Sequence, residues 1–158
     1  MESKETTALF IGNRDCYNVK NEIIELAIIG ATEAGIRTFL NGGQGYFDQR
    51  CASLVHKLKE KYPFIRSHLV IPYRTFKIDN CELFDEIIYP FEKHIESRYT
   101  YMGNIEKRNR YMMNQSCMAI CYLNHTTGGA GKTLAYARKK KLFIIDLKAN
   151  ETPIAAEE

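Results

Sequence analysis

Apolar residues along this chain fall in short runs that alternate with stretches of helical spacing. Thr7-Ala8-Leu9-Phe10-Ile11 is a first run, ended by Gly12. From Val19 to Ala34, Ile23, Ala27 and Gly30, together with Ile24, Ile28 and Thr32, recur three or four positions apart and predict a helix that Gly35 stops. Thr38-Phe39-Leu40 reads as a strand. Between Asp48 and Lys61, the positions Cys51, Ala52, Leu54, Val55 and Leu58 mark an amphipathic helix. Leu69-Val70-Ile71 is a third strand, closed by Pro72. The pattern then weakens, with a short strand at Glu86-Ile87-Ile88-Tyr89 and a tyrosine-rich connection from Pro90 to Met102, a candidate lid. A helix over Ile105–Asn114 leads into Met118-Ala119-Ile120-Cys121-Tyr122-Leu123, whose unbroken apolarity demands cover on both faces. A helix over Lys132–Lys140 and a strand over Leu142–Asp146 complete the pattern. Strands alternating with helices predict an α/β, Rossmann-like three-layer domain with a mostly parallel sheet and right-handed crossovers. It takes up 1–148 as a single domain, and 149–158 is expected to be a flexible acidic tail.

Composition fits that picture without narrowing it. With 45% hydrophobic and 26% charged residues in a chain of 158, one core forms without help from disulfides or metal. The five cysteines, Cys16, Cys51, Cys81, Cys117 and Cys121, are odd in number and scattered, as expected of reduced thiols. Cys117, Cys121 and His125 are evenly spaced and invite a zinc reading. On a strand, however, residues four apart lie about 13 Å from one another, too far to share one ion. No metal and no cofactor are expected. The longest apolar runs are too short for a bilayer, and the polar opening Met1-Glu2-Ser3-Lys4-Glu5 lacks a signal peptide's apolar segment, so no membrane association and a cytoplasmic location are expected. The formal net charge of +3 is too mild to declare a polyanionic partner, and nucleic acid is not expected on that ground.

The chemistry concentrates at three strand-to-helix junctions: Gly12-Asn13-Arg14, Gly42-Gly43-Gln44-Gly45, and Thr127-Gly128-Gly129-Ala130-Gly131-Lys132-Thr133. In an open parallel sheet such junctions share the edge where ligands collect. Glycine lets backbone N–H groups approach a ligand closely, and the unpaired amides opening a helix favour anionic oxygen. Asp48 either caps its helix or accepts hydrogen bonds from sugar hydroxyls. Arg14, Arg108 and Arg110 are candidate phosphate partners, with solvated surface groups as the alternative. Tyr99, Tyr101 and Tyr111 could stack on a base or simply pack at the rim of the core. The basic run Arg138-Lys139-Lys140-Lys141 suits a helix C-terminus. Gly131-Lys132-Thr133 imitates the end of a P-loop, but the first glycine of that motif would stand at Thr126, which argues against an NTPase.

Taken in order, Ile11-Gly12-Asn13-Arg14, Phe39 to Asp48, Leu69-Val70-Ile71-Pro72, Lys107 to Met112, and His125 to Thr133 with Tyr136-Ala137 resemble the SLOG superfamily, and within it the YpsA-like branch. The resemblance runs from about Thr7 to Leu147. It implies a Rossmann-like domain that binds nucleotides or their derivatives at the glycine-rich loops, often as a homo-oligomer. Members include phosphoribohydrolases, ligand-sensing modules and the DprA-like proteins, which handle single-stranded DNA. Many relatives read Gly-His-Arg in the first motif, where this chain has Asn13. The enzymes resembling cytokinin-activating phosphoribohydrolases carry acidic residues after the Pro-Gly-Gly-x-Gly-Thr loop, at positions that here are Leu134 and Ala135.

The expected function is binding or sensing of a small-molecule, nucleotide-derived ligand, with catalysis left open. Its expected ligand set is Gly12, Asn13, Arg14, Gly42, Gly43, Gly45, Asp48, Arg108, Thr127, Gly128, Gly129, Gly131, Lys132 and Thr133. Two alternatives stand beside it. One is hydrolysis of the N-glycosidic bond of a nucleoside monophosphate or NAD-like molecule, with Asp48 or Asp146 supplying the carboxylate. The other is weak single-stranded nucleic-acid binding, resting on the mild positive charge and the tyrosines.

Overall fold

The computed structural model describes residues 3–91 and 98–149, with side chains in the second stretch from residue 103 onward. The expected tail, apart from Ala149, the heart of the tyrosine-rich connection, and the side chains of Tyr99 and Tyr101 lie outside the described residues.

Six strands, β1 (Thr7–Gly12), β2 (Thr38–Asn41), β3 (Arg66–Val70), β4 (Glu86–Ile88), β5 (Met118–Tyr122) and β6 (Phe143–Asp146), form one sheet in the order β4-β3-β2-β1-β5-β6. Every pairing in it is parallel. Among the described residues four α-helices connect them: α1 (Asn21–Glu33), α2 (Tyr46–Leu58), α3 (Arg98–Asn114) and α4 (Gly128–Lys139). The architecture is the Rossmann-like three-layer α/β sandwich.

The layers follow from the two-residue period of the central strands. Ala8 and Phe10 of β1 point into a core shared with Ile24 and Ile28 of α1 and Cys51 and Val55 of α2. Leu9 and Ile11 point the other way, to Met112 and Met113 of α3 and Ala137 of α4. Phe10 stacks on Phe39 of β2 at 5.8 Å between centroids and meets Phe47 of α2 edge-on at 6.5 Å. β1 and β5 are buried along their lengths, as unbroken apolar strands in the middle of a parallel sheet must be.

Three elements start three or more residues before the positions the sequence predicts. β3 starts at Arg66, because Ser67 and His68 are buried polar residues that no apolar pattern reveals, and the Ser67 N–H donates to Asp85 at 2.8 Å. α3 starts at Arg98 rather than near Ile105; Tyr, Thr, Gly and Asn in its first two turns are weak helix formers. α4 starts at Gly128 rather than Lys132, so the glycines expected to form a loop make up the first turn of the helix.

The sheet order places a topological switch beside β1. The chain moves outward through β2, β3 and β4, then returns past β1 to lay down β5 and β6. The carboxyl ends of β1 and β5 therefore feed connections that diverge to opposite faces, which opens a crevice between them.

Candidate functional site

The crevice is a cleft of about 1170 Å³ above the carboxyl ends of β1, β2 and β5. Segments that lie far apart in the chain meet in it: Gly12 to Asp15 after β1, Gly42 and Gln44 after β2, one face of α3, and Thr127 to Thr133 at the start of α4.

The first junction is built tight. A Cβ on Gly12 would lie 2.4 Å from the Phe47 ring, so glycine is what lets α2 close over the end of β1. Asn13 is 4% exposed and ties two loops together. Its Oδ1 accepts the N–H of Asn124 at 2.6 Å and of His125 at 3.3 Å, and its Nδ2 donates to the His125 carbonyl at 3.3 Å. The Arg14 carbonyl accepts the Tyr46 N–H at 3.1 Å. Gly45, at φ 97°, passes so close that a Cβ would sit 2.6 Å from the Arg14 Cα.

The second junction is held from below. Arg108 of α3 is 1% exposed, and its Nη1 donates to the carbonyls of Gly42 and Val70, both at 2.8 Å. Its Nη2 donates to Gln44 Oε1 at 2.5 Å and its Nε to Asn109 Oδ1 at 2.8 Å. Asp48, 8% exposed in the first turn of α2, accepts the Gln44 N–H at 3.0 Å. Asn41 closes the turn by accepting the Gly43 N–H at 2.7 Å and donating to the Asp48 carbonyl at 2.8 Å. Burial pushes the Asp48 carboxyl up to about 6, against the opposing pull of the Gln44 N–H and the Arg108 charge. Burial likewise brings the Arg108 guanidinium down to about 10.

The third junction opens α4. Thr127 stands at the N-cap, yet its hydroxyl makes no capping bond and pairs instead with His125 Nδ1 at 2.9 Å. His125 Nε2 in turn lies 3.8 Å from Asp15. Gly128, Gly129 and Ala130 of the first turn line the cleft, as does Lys132. A Cβ on Gly131 would fall 1.9 Å from the Thr126 carbonyl oxygen, so the helix rests on the loop that precedes it. Thr133 donates its hydroxyl to the Gly129 carbonyl at 2.8 Å.

Of the residues singled out in the sequence, Gly12, Asn13, Arg14, Gly42, Asp48, Arg108, Thr127, Gly128, Gly129, Lys132 and Thr133 line the cleft, while Gly43, Gly45 and Gly131 are not part of its lining. Arg110 lines it too, 3.1 Å from Glu106 and with its guanidinium over the Tyr136 ring. Asp146 does not; it accepts the N–H groups of Lys148 and Ala149 at the end of β6. Tyr111 packs partly buried on the core beneath α3 and α4. Cys121 is buried in β5, which raises its thiol to about 12, and Cys117 at the strand's entrance donates to the Glu5 carbonyl. Sequence reasoning missed Asp15 and His125 as cleft residues. His125 stands two positions before the third loop, which is the signal that could have flagged it. The cleft carries the cations Arg14, Arg108, Arg110, Lys132 and Lys139 against the carboxylates Asp15, Asp48 and Glu106.

Comparison with known proteins places this geometry. Solved structures that share the fold include DNA processing protein A (DprA) from Streptococcus pneumoniae, with a TM-score of 0.63 at 16% identity over 90% of this chain and 50% of that one, and DprA from Helicobacter pylori, a structure concerned with its single-stranded DNA binding mode, with a TM-score of 0.62 at 14% identity over 90% of this chain and 65% of that one. The chain thus spans about half to two-thirds of their lengths. No curated protein matches it. The likeness to a single-stranded DNA binder corrects the expectation of a small-molecule partner with nucleic acid set aside. That expectation leaned on the net charge, which does not record that the cleft gathers five cations against three carboxylates. Among the described residues no helix is long and apolar enough to cross a membrane. The family model for the YspA SLOG family matches residues 5–143, and the chain belongs to that family.

Proposed function

We propose that the protein binds single-stranded nucleic acid, holding nucleotide units in the switch-point cleft through their phosphates and sugars. The observation that carries this reading is that Arg14, Lys132 and the opening turn of α4 line one cleft, with the N-cap hydroxyl of that turn engaged elsewhere. Backbone amides at a helix start and two flexible cations form a receptor for phosphate oxygen. Asp48, on the opposite loop, repels phosphate and so favours placing the phosphates on the α4 side of the cleft. The fold likeness to a DprA studied for its single-stranded DNA binding supports the same partner class. Hydrolysis of an N-glycosidic bond is not part of this reading, because Leu134 and Ala135 occupy the positions where the resembling enzymes carry carboxylates, and Asp48 is held by the Gln44 N–H.

Fluorescence anisotropy of a labelled oligothymidine, titrated at several salt concentrations, tests it. Binding should weaken as salt rises, with a log–log slope of about −0.7 for each phosphate engaged, and Lys132→Ala or Arg14→Ala should each remove about one such increment. No complex at low salt, or equal affinity for a duplex of the same length, would overturn the proposal.

A further inference from the structure

Beside the cleft, two tyrosine rings stand in solvent. Tyr17 is 68% and Tyr46 45% exposed, and their centroids lie 5.0 Å apart with the rings tilted by 53°. Single exposed aromatics are common on protein surfaces, but a touching pair held in place is a different feature. Tyr46 begins α2 and donates its N–H to the Arg14 carbonyl. Arg50, one turn further along α2, lies over the Tyr46 ring with its Cζ 5.3 Å from the centroid. Its guanidinium is fixed by Asn21 Oδ1, which accepts from Nε at 2.8 Å and from Nη2 at 2.5 Å. Tyr17 sits in a turn anchored on both sides. The Cys16 N–H donates to the Asn13 carbonyl at 3.2 Å, and Asn18 Oδ1 accepts Asn124 Nδ2 at 3.2 Å. Tyr17 stands three positions after Arg14 of the cleft, at most about 11 Å of chain away.

The geometry points to Tyr17 and Tyr46 as a base-stacking platform for a nucleotide that leaves the cleft, a site that rests on the function proposed above and names what reads the bases. The occupant is committed by charge. The pair adjoins the cleft through the Tyr46 N–H on the Arg14 carbonyl, Arg50 lies against Tyr46, and Asp15 is the one carboxylate of the cleft loop next to Tyr17; two arginines against that single carboxylate favour a partner with both a flat π-face and negative charge, as an unpaired nucleotide has. Stacking on aromatic side chains is tolerant of base identity, so the platform confers affinity for single strands without sequence preference. A duplex, whose bases are already stacked, gains nothing from it.

The test pairs two probes of equal phosphate number, a labelled oligothymidine and its abasic counterpart, with wild-type protein and the variants Tyr17→Ala, Tyr46→Ala, Tyr17→Phe and Phe143→Ala. Tyr17 is far enough in solvent that its truncation leaves the fold intact, which thermal melting checks. Each alanine at the pair should weaken oligothymidine binding by about tenfold, leave the abasic probe unchanged and leave the salt slope unchanged, while Tyr17→Phe and Phe143→Ala bind like wild type. If wild type binds and the alanine variants match it, or lose equally on both probes, the platform is overturned and the cleft proposal stands. If wild type binds neither probe at low salt, the cleft proposal falls first and the platform with it. If the alanine variants instead lower the oligomeric state and spare oligothymidine binding, the pair is a self-association surface and the platform is overturned.

Discussion

Arg108 directs four hydrogen bonds from one buried guanidinium, and three of its acceptors are in or beneath the second glycine loop. Its side chain is therefore the strut on which that loop's shape depends. Arg108→Ala should cost about 3 kcal/mol or more, measured by urea unfolding, because buried carbonyls lose a charged donor. Arg108→Lys should recover less than half of that, since an ammonium cannot reproduce the planar fork. Asp48 makes a pH-dependent prediction. Its carboxyl titrates near 3.8 in the unfolded chain and near 6 in the folded one, so the native state binds the extra proton between those values. Stability from this group is therefore full below about pH 4 and is lost as pH rises through 6. The stability of Asp48→Asn relative to wild type should climb by up to about 3 kcal/mol between pH 4 and pH 7. Paired urea titrations across that range check it, and a flat difference contradicts it.

At the scale of elements, α4 concentrates the glycines of the third motif. Gly131 and Gly129 sit two residues apart in the same turn yet face different surroundings: the Thr126 carbonyl stands where a Cβ on Gly131 would go, while nothing lies within 4 Å of one on Gly129. Gly131→Ala should lower stability by about 1–3 kcal/mol, which lowers Tm by several degrees in a chain of this size. Gly129→Ala should be neutral or raise stability by up to about 1 kcal/mol, because alanine favours the helix it occupies. Thermal unfolding of the two variants side by side checks the pair. The same helix shows where sequence reading stops. Central strands and the apolar stripes of α1 and α2 are legible because burial on two faces or one imposes a period. The start of α4 is not, because its glycines serve close backbone approach and look like a turn when read alone. β3 is misplaced for a related reason: Ser67 and His68 are buried by their neighbours, not by their own hydropathy.

At the scale of the molecule, the strand order decides what meets. Alternating strands and helices already imply that the three glycine junctions share one edge of the sheet, and their convergence in one cleft was legible to that extent. What was not legible is how the cleft residues divide their labour. Asn13 and Arg108 read as ligand contacts in the sequence; in the fold Asn13 also ties neighbouring backbone, and Arg108 bonds two backbone carbonyls and the side chains of Gln44 and Asn109. Tyr17 and Tyr46 attract no notice in the sequence, because only the folded turn brings the two rings together. Net charge carries little here for a similar reason, since it does not record that the cleft gathers five cations against three carboxylates.

The central claim is that the switch-point cleft receives single-stranded nucleic acid. Amide chemical-shift mapping with an unlabelled oligothymidine at low salt tests it most directly. The account predicts shifts confined to Asn13–Tyr17, Gly42–Tyr46 and Thr127–Lys132. Shifts gathered at the amino ends of the strands, around Ser3, Ile36 and Gln115, or no shifts at all, would contradict it.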